Sequence, residues 1–173
     1  MIFDSADYYF IDFQSDLPKG AAYTHIGMYA AWLALRGLGS ADLNDYLYHL
    51  RTRRMSCGEF LAEACDGKLG TQDVNAEGQA FSEDYYAAHF RADYERLFKA
   101  EFGRSGHQVD DFCSLPDSWH NFDRLAPVLN RRWMDWKAGR NGVIWAPMPA
   151  VEEVFARVLA SLVHPNLPRV TDF

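Results

Sequence analysis

The 173-residue chain contains no G-x-G-x-x-G, P-loop, G-x-S-x-G, H-E-x-x-H or C-x-x-C. With them go the local signatures of dinucleotide and nucleoside-triphosphate binding, serine-hydrolase elbows, zinc peptidases and dithiol redox chemistry. The six histidines are scattered, and no two stand at helical metal-ligand spacing. Three cysteines, Cys57, Cys65 and Cys113, make an odd number and no disulfide framework. On one helix Cys57 and Cys65 would lie about 12 Å apart along the axis, too far for a bridge, so buried reduced thiols are expected. Basic residues are few: 17 Lys and Arg stand against 24 Asp and Glu, giving a net charge of −7 and a pI near 5.3. Nucleic-acid backbones and anionic membranes select a basic face, so neither is expected as a partner. The first residues, MIFDSADYYFIDF, place acids where a secretory signal needs a basic start and an apolar centre. A cytoplasmic location is therefore expected.

What the chain does have is apolar mass. Hydrophobic residues make up 49%, aromatics 15% and charged residues only 24%, a composition that packs a core and argues against disorder. Its most apolar run is residues 21–38, AAYTHIGMYAAWLALRGL. Tyr23, Ile26, Trp32 and Leu33 interleave with Ala30, Ala31 and Ala34, so apolar residues go nearly all the way round a helix, the mark of a buried one. Gly27 and Ala31 form a small-residue stripe on which a second helix can close. Leu17-Pro18 precedes the run, and Gly37 and Gly39 stop it. Thr24, His25, Arg36 and the glycines interrupt it too often for a membrane span. His25 shares a face with Met28, Tyr29 and Trp32. It is expected to be a core histidine bonded to a carbonyl or an aspartate, with a general base in a pocket as the sharper alternative.

The remaining segments read as helices around that centre. Tyr9, Ile11 and Phe13 suit a short extended N-terminal arm with solvated aspartates, Asp4 and Asp12 among them. Ser40 is placed to cap a helix over SADLNDYLYHLRTRR, and Ser56 with Glu59 forms a capping box for the next, which ends at Asp66-Gly67. A broken helix or two follows from Thr71 or Asp73 to Gly103, with Phe81, Tyr85 and Ala88 on one stripe and Tyr94, Leu97 and Phe98 on another. GRSGHQVDD reads as a loop. Trp119, Phe122 and Leu125 face inward on a helix that Pro127 should kink or restart, and Trp133 and Trp136 share a later face. Val151, Val154, Phe155, Val158 and Leu162 mark a last amphipathic helix. No strand pair with a hairpin turn appears. The expected fold is all-α: a single compact multi-helix domain over residues 1–173 around a buried central helix at about residues 20–38, with at most a minor extended N-terminal arm.

Several short motifs recur in a definite order: Thr24-His25-Ile26-Gly27-Met28 with Ala31-Trp32; Cys65-Asp66-Gly67-Lys68-Leu69; Glu77-Gly78 with Phe81 and Tyr85-Tyr86; Asp93-Tyr94; and Asp117-Ser118-Trp119 with Asn121-Phe122-Asp123. The series resembles a family of bacterial domains of unknown function marked by a T-H-I-G-M-x-x-x-W helix and a C-D-G-K-L turn. The likeness covers about residues 4–137 and leaves a private extension at about 138–173. Tyr8-Tyr9 stands where that family often has Trp-His.

Small acidic proteins of this kind also resemble the immunity partners of secreted antibacterial toxins, such as those of type VI secretion. That resemblance implies a non-enzymatic cytosolic protein that covers a toxin domain with a basic surface. No catalytic residue, metal or cofactor is then expected. The candidate partner-binding residues are Asp66, Asp73, Glu77, Glu83, Asp84, Asp110 and Asp111, with Tyr85 and Tyr86 as aromatic anchors inside the acidic rim. The alternative is a small-molecule enzyme with a pocket around His25 and the turn from Asp66 to Lys68.

Overall fold

A Cβ on Gly27 would lie 2.3 Å from the carbonyl oxygen of Cys57. That close approach is the packing event on which the chain is built, because only a glycine lets two helix backbones come so near. The computed structural model describes residues 1–13, 16–102 and 108–139. Its elements are β1 (Ile2–Ser5), α1 (Asp7–Phe10), α2 (Thr24–Arg36), α3 (Leu47–Arg51), α4 (Cys57–Ala64), β2 (Lys68–Gly70), α5 (Ala76–Tyr85), a π-helical segment (Tyr86–Phe90), α6 (Arg91–Leu97), α7 (Gln108–Cys113) and α8 (Trp119–Lys137). The architecture is mostly helical and α2 is its axis: every residue from Thr24 to Ala34 is buried. Gly37 takes the left-handed conformation, and the amides of Gly37 and Leu38 close the end of α2 on Ala34 and Leu33.

Helix α4 crosses α2 at Gly27. Its start carries the capping box, with Ser56 Oγ accepting from the Glu59 amide and Glu59 accepting from the Ser56 amide. Asp117 adds a carboxylate from far along the chain, accepting from the Gly58 amide at 2.8 Å. On the other side of α2, Tyr29 packs against Tyr85, Tyr86 and Phe90, and Trp32 against Phe81. The Tyr29 and Ser82 hydroxyls meet at 3.0 Å, and the Trp32 indole donates to Asn130 Oδ1 of α8 at 3.0 Å. Polar ends of large aromatics thus find partners inside the core, which makes their burial affordable.

Several local expectations give way to longer-range forces. The N-terminal arm is not a lone extended segment: β1 pairs antiparallel with β2, Ile2 opposite Gly70 and Ser5 opposite Lys68, with a bulge between Ile2 and Asp4. The chain then turns into α1, so Tyr9 points inward while Ile11 is exposed. Asp4, expected in solvent, is buried.

Ser40 makes no side-chain cap; residues from Ala41 to Tyr46 form a 3-10 turn before the short α3. Asn75, not Thr71 or Asp73, caps α5, accepting from the Gly78 amide at 2.9 Å. Ala88 is exposed because the wider π turn rotates it out and brings Tyr86 in. The last residues of GRSGHQVDD belong to α7 rather than to a loop. Helix α8 runs unbroken through Pro127, which stands on its exposed side; there the Asp123 carbonyl that loses its helical donor can face water. The stop expected at Gly103 and the helix expected from Val151 to Leu162 lie outside the described residues.

Candidate functional site

The densest group of chemically capable side chains is gathered around Asp4. Strand pairing puts Asp4 beside Leu69, and the following α1 folds Tyr9 back over it. Oδ1 accepts from the Ser5 amide at 2.8 Å; Oδ2 accepts from Tyr9 OH at 3.0 Å and from Tyr86 OH at 2.8 Å. His25 Nε2 stands 3.6 Å from the same oxygen. That distance is too long for a hydrogen bond, so the amide and the two hydroxyls are the true donors. Among the described residues neither buried ring nitrogen of His25 has a hydrogen-bond partner. The ring is instead enclosed edgewise by Tyr9 and Phe112, at centroid distances of 4.5 and 4.6 Å.

Protonation follows from these surroundings. Burial pushes the Asp4 carboxyl up, but the His25 contact, the Tyr86 hydroxyl and the Ser5 amide outweigh it and hold Asp4 below its ordinary value. For His25 burial wins: it lowers the imidazole despite the neighbouring carboxylate, and the Arg91 charge pushes the same way. The Tyr86 hydroxyl is driven well up by burial and by Asp4. A neutral imidazole beside an ionised carboxylate, with two fixed tyrosine donors, is a set that can hold a proton in place. Every member is buried or half-buried, so the set faces the core and not solvent.

The sequence candidates fall into three groups. Asp66, Glu77, Glu83 and Asp84 are exposed. Asp66 sits at a left-handed turn ahead of Gly67. The other three lie on the outer face of α5, where Lys137 pairs with Glu77, Gln79 donates to Glu83 at 2.8 Å, and the Trp136 indole donates to Asp84 at 2.8 Å.

The second group is buried and structural. Asp73 accepts from the Gly70 amide at 2.7 Å and from the Gln72 amide group at 2.9 Å; burial lifts its carboxyl, with the Gly70 amide opposing. Tyr85 donates to Asp93 at 3.0 Å and Tyr86 to Asp4. Neither tyrosine is available as a surface anchor, because the π segment between α5 and α6 turns both into the core.

Asp110 and Asp111 form the third group. They are buried in α7 and line a cavity of about 470 Å³ with Leu17, Glu101, His120 and Arg124. Arg124 is held there by Glu101 Oε1 at 2.6 Å. This cavity lies at the start of α8 and the α5 acids at its end; His120 and Lys137 are about 25 Å apart along the helix. The expected acidic residues therefore do not share one face.

Lys68 pairs with Asp7 at 3.3 Å, and the acid that meets His25 is Asp4. Asp4 and Tyr9 had no signal in the local pattern, since an acid among alternating aromatics reads as the solvated side of an arm. The three cysteines are buried and free; burial drives the Cys57 thiol up strongly and pushes those of Cys65 and Cys113 up to about 12, which leaves them unreactive. Among the described residues no group of three or more His, Cys, Asp and Glu is placed to hold a metal ion, and no helix is long and apolar enough to cross a membrane.

A mostly helical domain with a buried Asp-His-Tyr centre is the class that fold and site define. The chain belongs to the family described as Domain of unknown function (DUF7832), which matches residues 2–108. The match runs from β1 to the first residue of α7, so it takes in the whole Asp4 centre except Phe112, while Asp117-Ser118-Trp119 and the rest of α8 lie beyond it. Neither a curated protein nor a solved structure matches the chain.

Proposed function

We propose that the chain is a non-enzymatic, cytosolic binding protein of the immunity type, which neutralises a cognate bacterial toxin by covering a basic surface on it. One observation carries this reading: the division of the polar groups. Three titratable groups with altered protonation, Asp4, His25 and Tyr86, are turned onto one another inside the core and are buried from solvent. Of the candidate acids, Asp66, Glu77, Glu83 and Asp84 stand at the surface, on fixed turns and helices of a chain with net charge −7. An inhibitor of a toxin made in the same cell must capture it quickly, and opposite charge raises association rates by about 10–10³.

The test is co-expression with the product of the gene immediately upstream. The expected result is that this product arrests growth alone, is harmless beside the protein, and co-purifies with it in a complex whose association slows with salt. A neighbouring product that is harmless without this protein, or that forms no complex with it, overturns the reading.

A further inference from the structure

We infer that the outer face of α1 is the docking surface for a basic protein partner, with Tyr8 and Ile11 as its anchors. This inference rests on the binding-protein reading and supplies the anchor that Tyr85 and Tyr86 do not. Tyr8 is 63% exposed and Ile11 74% exposed, and their spacing places them on one side of a helical turn. Isolated exposed apolar residues are ordinary. These two differ in their setting.

The turn that carries them is pinned from beneath. Tyr9 donates to the buried Asp4, Ala6 is itself buried, and the Ala6 amide donates to the Gly67 carbonyl at 3.0 Å. A short helix that would fray alone is thereby held with Tyr8 and Ile11 already presented, so little ordering entropy is lost on binding. The bond to Gly67 also sets the exposed Asp66 beside the start of α1.

Asp7, Asp12 and Asp16 are exposed along the same segment. With Asp66 this exposed stretch carries four carboxylates; Lys68 pairs with Asp7, and Lys19 lies over the Phe10 ring. An aromatic and an aliphatic anchor within an acidic rim match a basic surface that has an apolar cleft. A polyanionic partner is repelled by the same rim.

A photoreactive phenylalanine analogue placed singly at positions 8, 11, 48 and 83, in cells that carry the whole locus, tests this. Tyr48, 58% exposed and remote in sequence, is the control. Crosslinks from positions 8 and 11, and not from 48, to one peptide rich in Lys and Arg are expected. With that partner purified, Tyr8→Ala should weaken Kd by about ten- to thirtyfold. Asp12→Lys with Asp16→Lys should slow association about tenfold and flatten its salt dependence. Circular dichroism and thermal unfolding of each variant confirm that it is folded.

Crosslinking of the partner only from position 48 or 83 overturns this surface and leaves the binding-protein reading standing. Silence at all four positions overturns both. A crosslink from position 8 to a second copy of the chain, or to its own residues 140–173, assigns the face to self-contact and also overturns the inference, as does unchanged partner affinity in Tyr8→Ala.

Discussion

Two of the buried carboxylates are served by adjacent tyrosines: Tyr85 donates to Asp93 and Tyr86 to Asp4. The two centres are built on opposite principles. Asp93 lies between guanidinium groups, with Arg132 giving a two-pronged pair at 2.7 and 2.8 Å and Arg96 closing on Oδ1. Asp93 and Arg132 are both buried. Among the described residues no Lys or Arg pairs with Asp4; an amide and two hydroxyls satisfy it, with a neutral imidazole alongside. One centre compensates charge with charge, and the other with dipoles. Removing the acid therefore leaves a buried cation in the first case and only unpaired neutral donors in the second. In Arg132 the balance is visible: burial lowers the guanidinium, and Asp93 more than restores it to above its ordinary value.

The largest expected effect breaks the charged centre. Asp93→Ala should cost about 3–5 kcal/mol in urea unfolding, because Arg132 is left buried without its anion. Replacing Asp93 and Arg132 together by apolar residues of similar volume should recover most of that loss; equal costs for single and double variants would mean that the acid alone, not the pair, holds α6 to α8.

Asp4→Asn comes next, at about 1.5–3 kcal/mol, the scale of hydrogen bonds to a charged group. Hydrogen exchange should show faster amides at Ala6 and Thr71, whose bonds to Gly67 and Met1 tie the arm down. A loss as large as that of Asp93→Ala would erase the distinction between the two centres.

The pH dependence sharpens the comparison further. His25 is lowered in the folded state from an ordinary 6.5, so the unfolded chain takes up its proton first and stability falls as pH drops below about 6.5. Asp4 is lowered from 3.8, and its contribution is lost only as pH falls below that value and through the folded one. His25→Phe should flatten the upper part of the urea-midpoint profile and shrink the lower part, since the His25 contact helps hold Asp4 down. Asp4→Asn should flatten the lower part and keep the upper part. A His25→Phe profile identical to that of the unaltered protein would show that the imidazole is not the group titrating.

The smallest effect is at the surface. Glu83→Lys, on the exposed face of α5, should change stability by less than about 0.5 kcal/mol. A larger loss in thermal unfolding would mean that the acids facing solvent are part of the packing after all.

The sequence by itself determined what depends on neighbours along the chain. The buried α2 follows from its run of apolar residues, its end from Gly37, and the start of α4 from Ser56 and Glu59 three residues later. The close contact at Gly27 was legible as a small-residue stripe, although its partner, the Cys57 carbonyl, was not. The contacts that complete the buried polar centres join residues far apart: Tyr86 reaches Asp4 across 82 positions, Arg132 reaches Asp93 across 39, and Trp32 reaches Asn130 across 98. Periodicity gives the face of one helix and cannot give its partner. It also assumes one period throughout, and the π segment breaks that assumption where Tyr85 and Tyr86 would otherwise diverge. An isolated aspartate is cheapest in water, so Asp4 and Asp110 read as surface acids until tertiary structure supplies what makes burial cheaper than exposure.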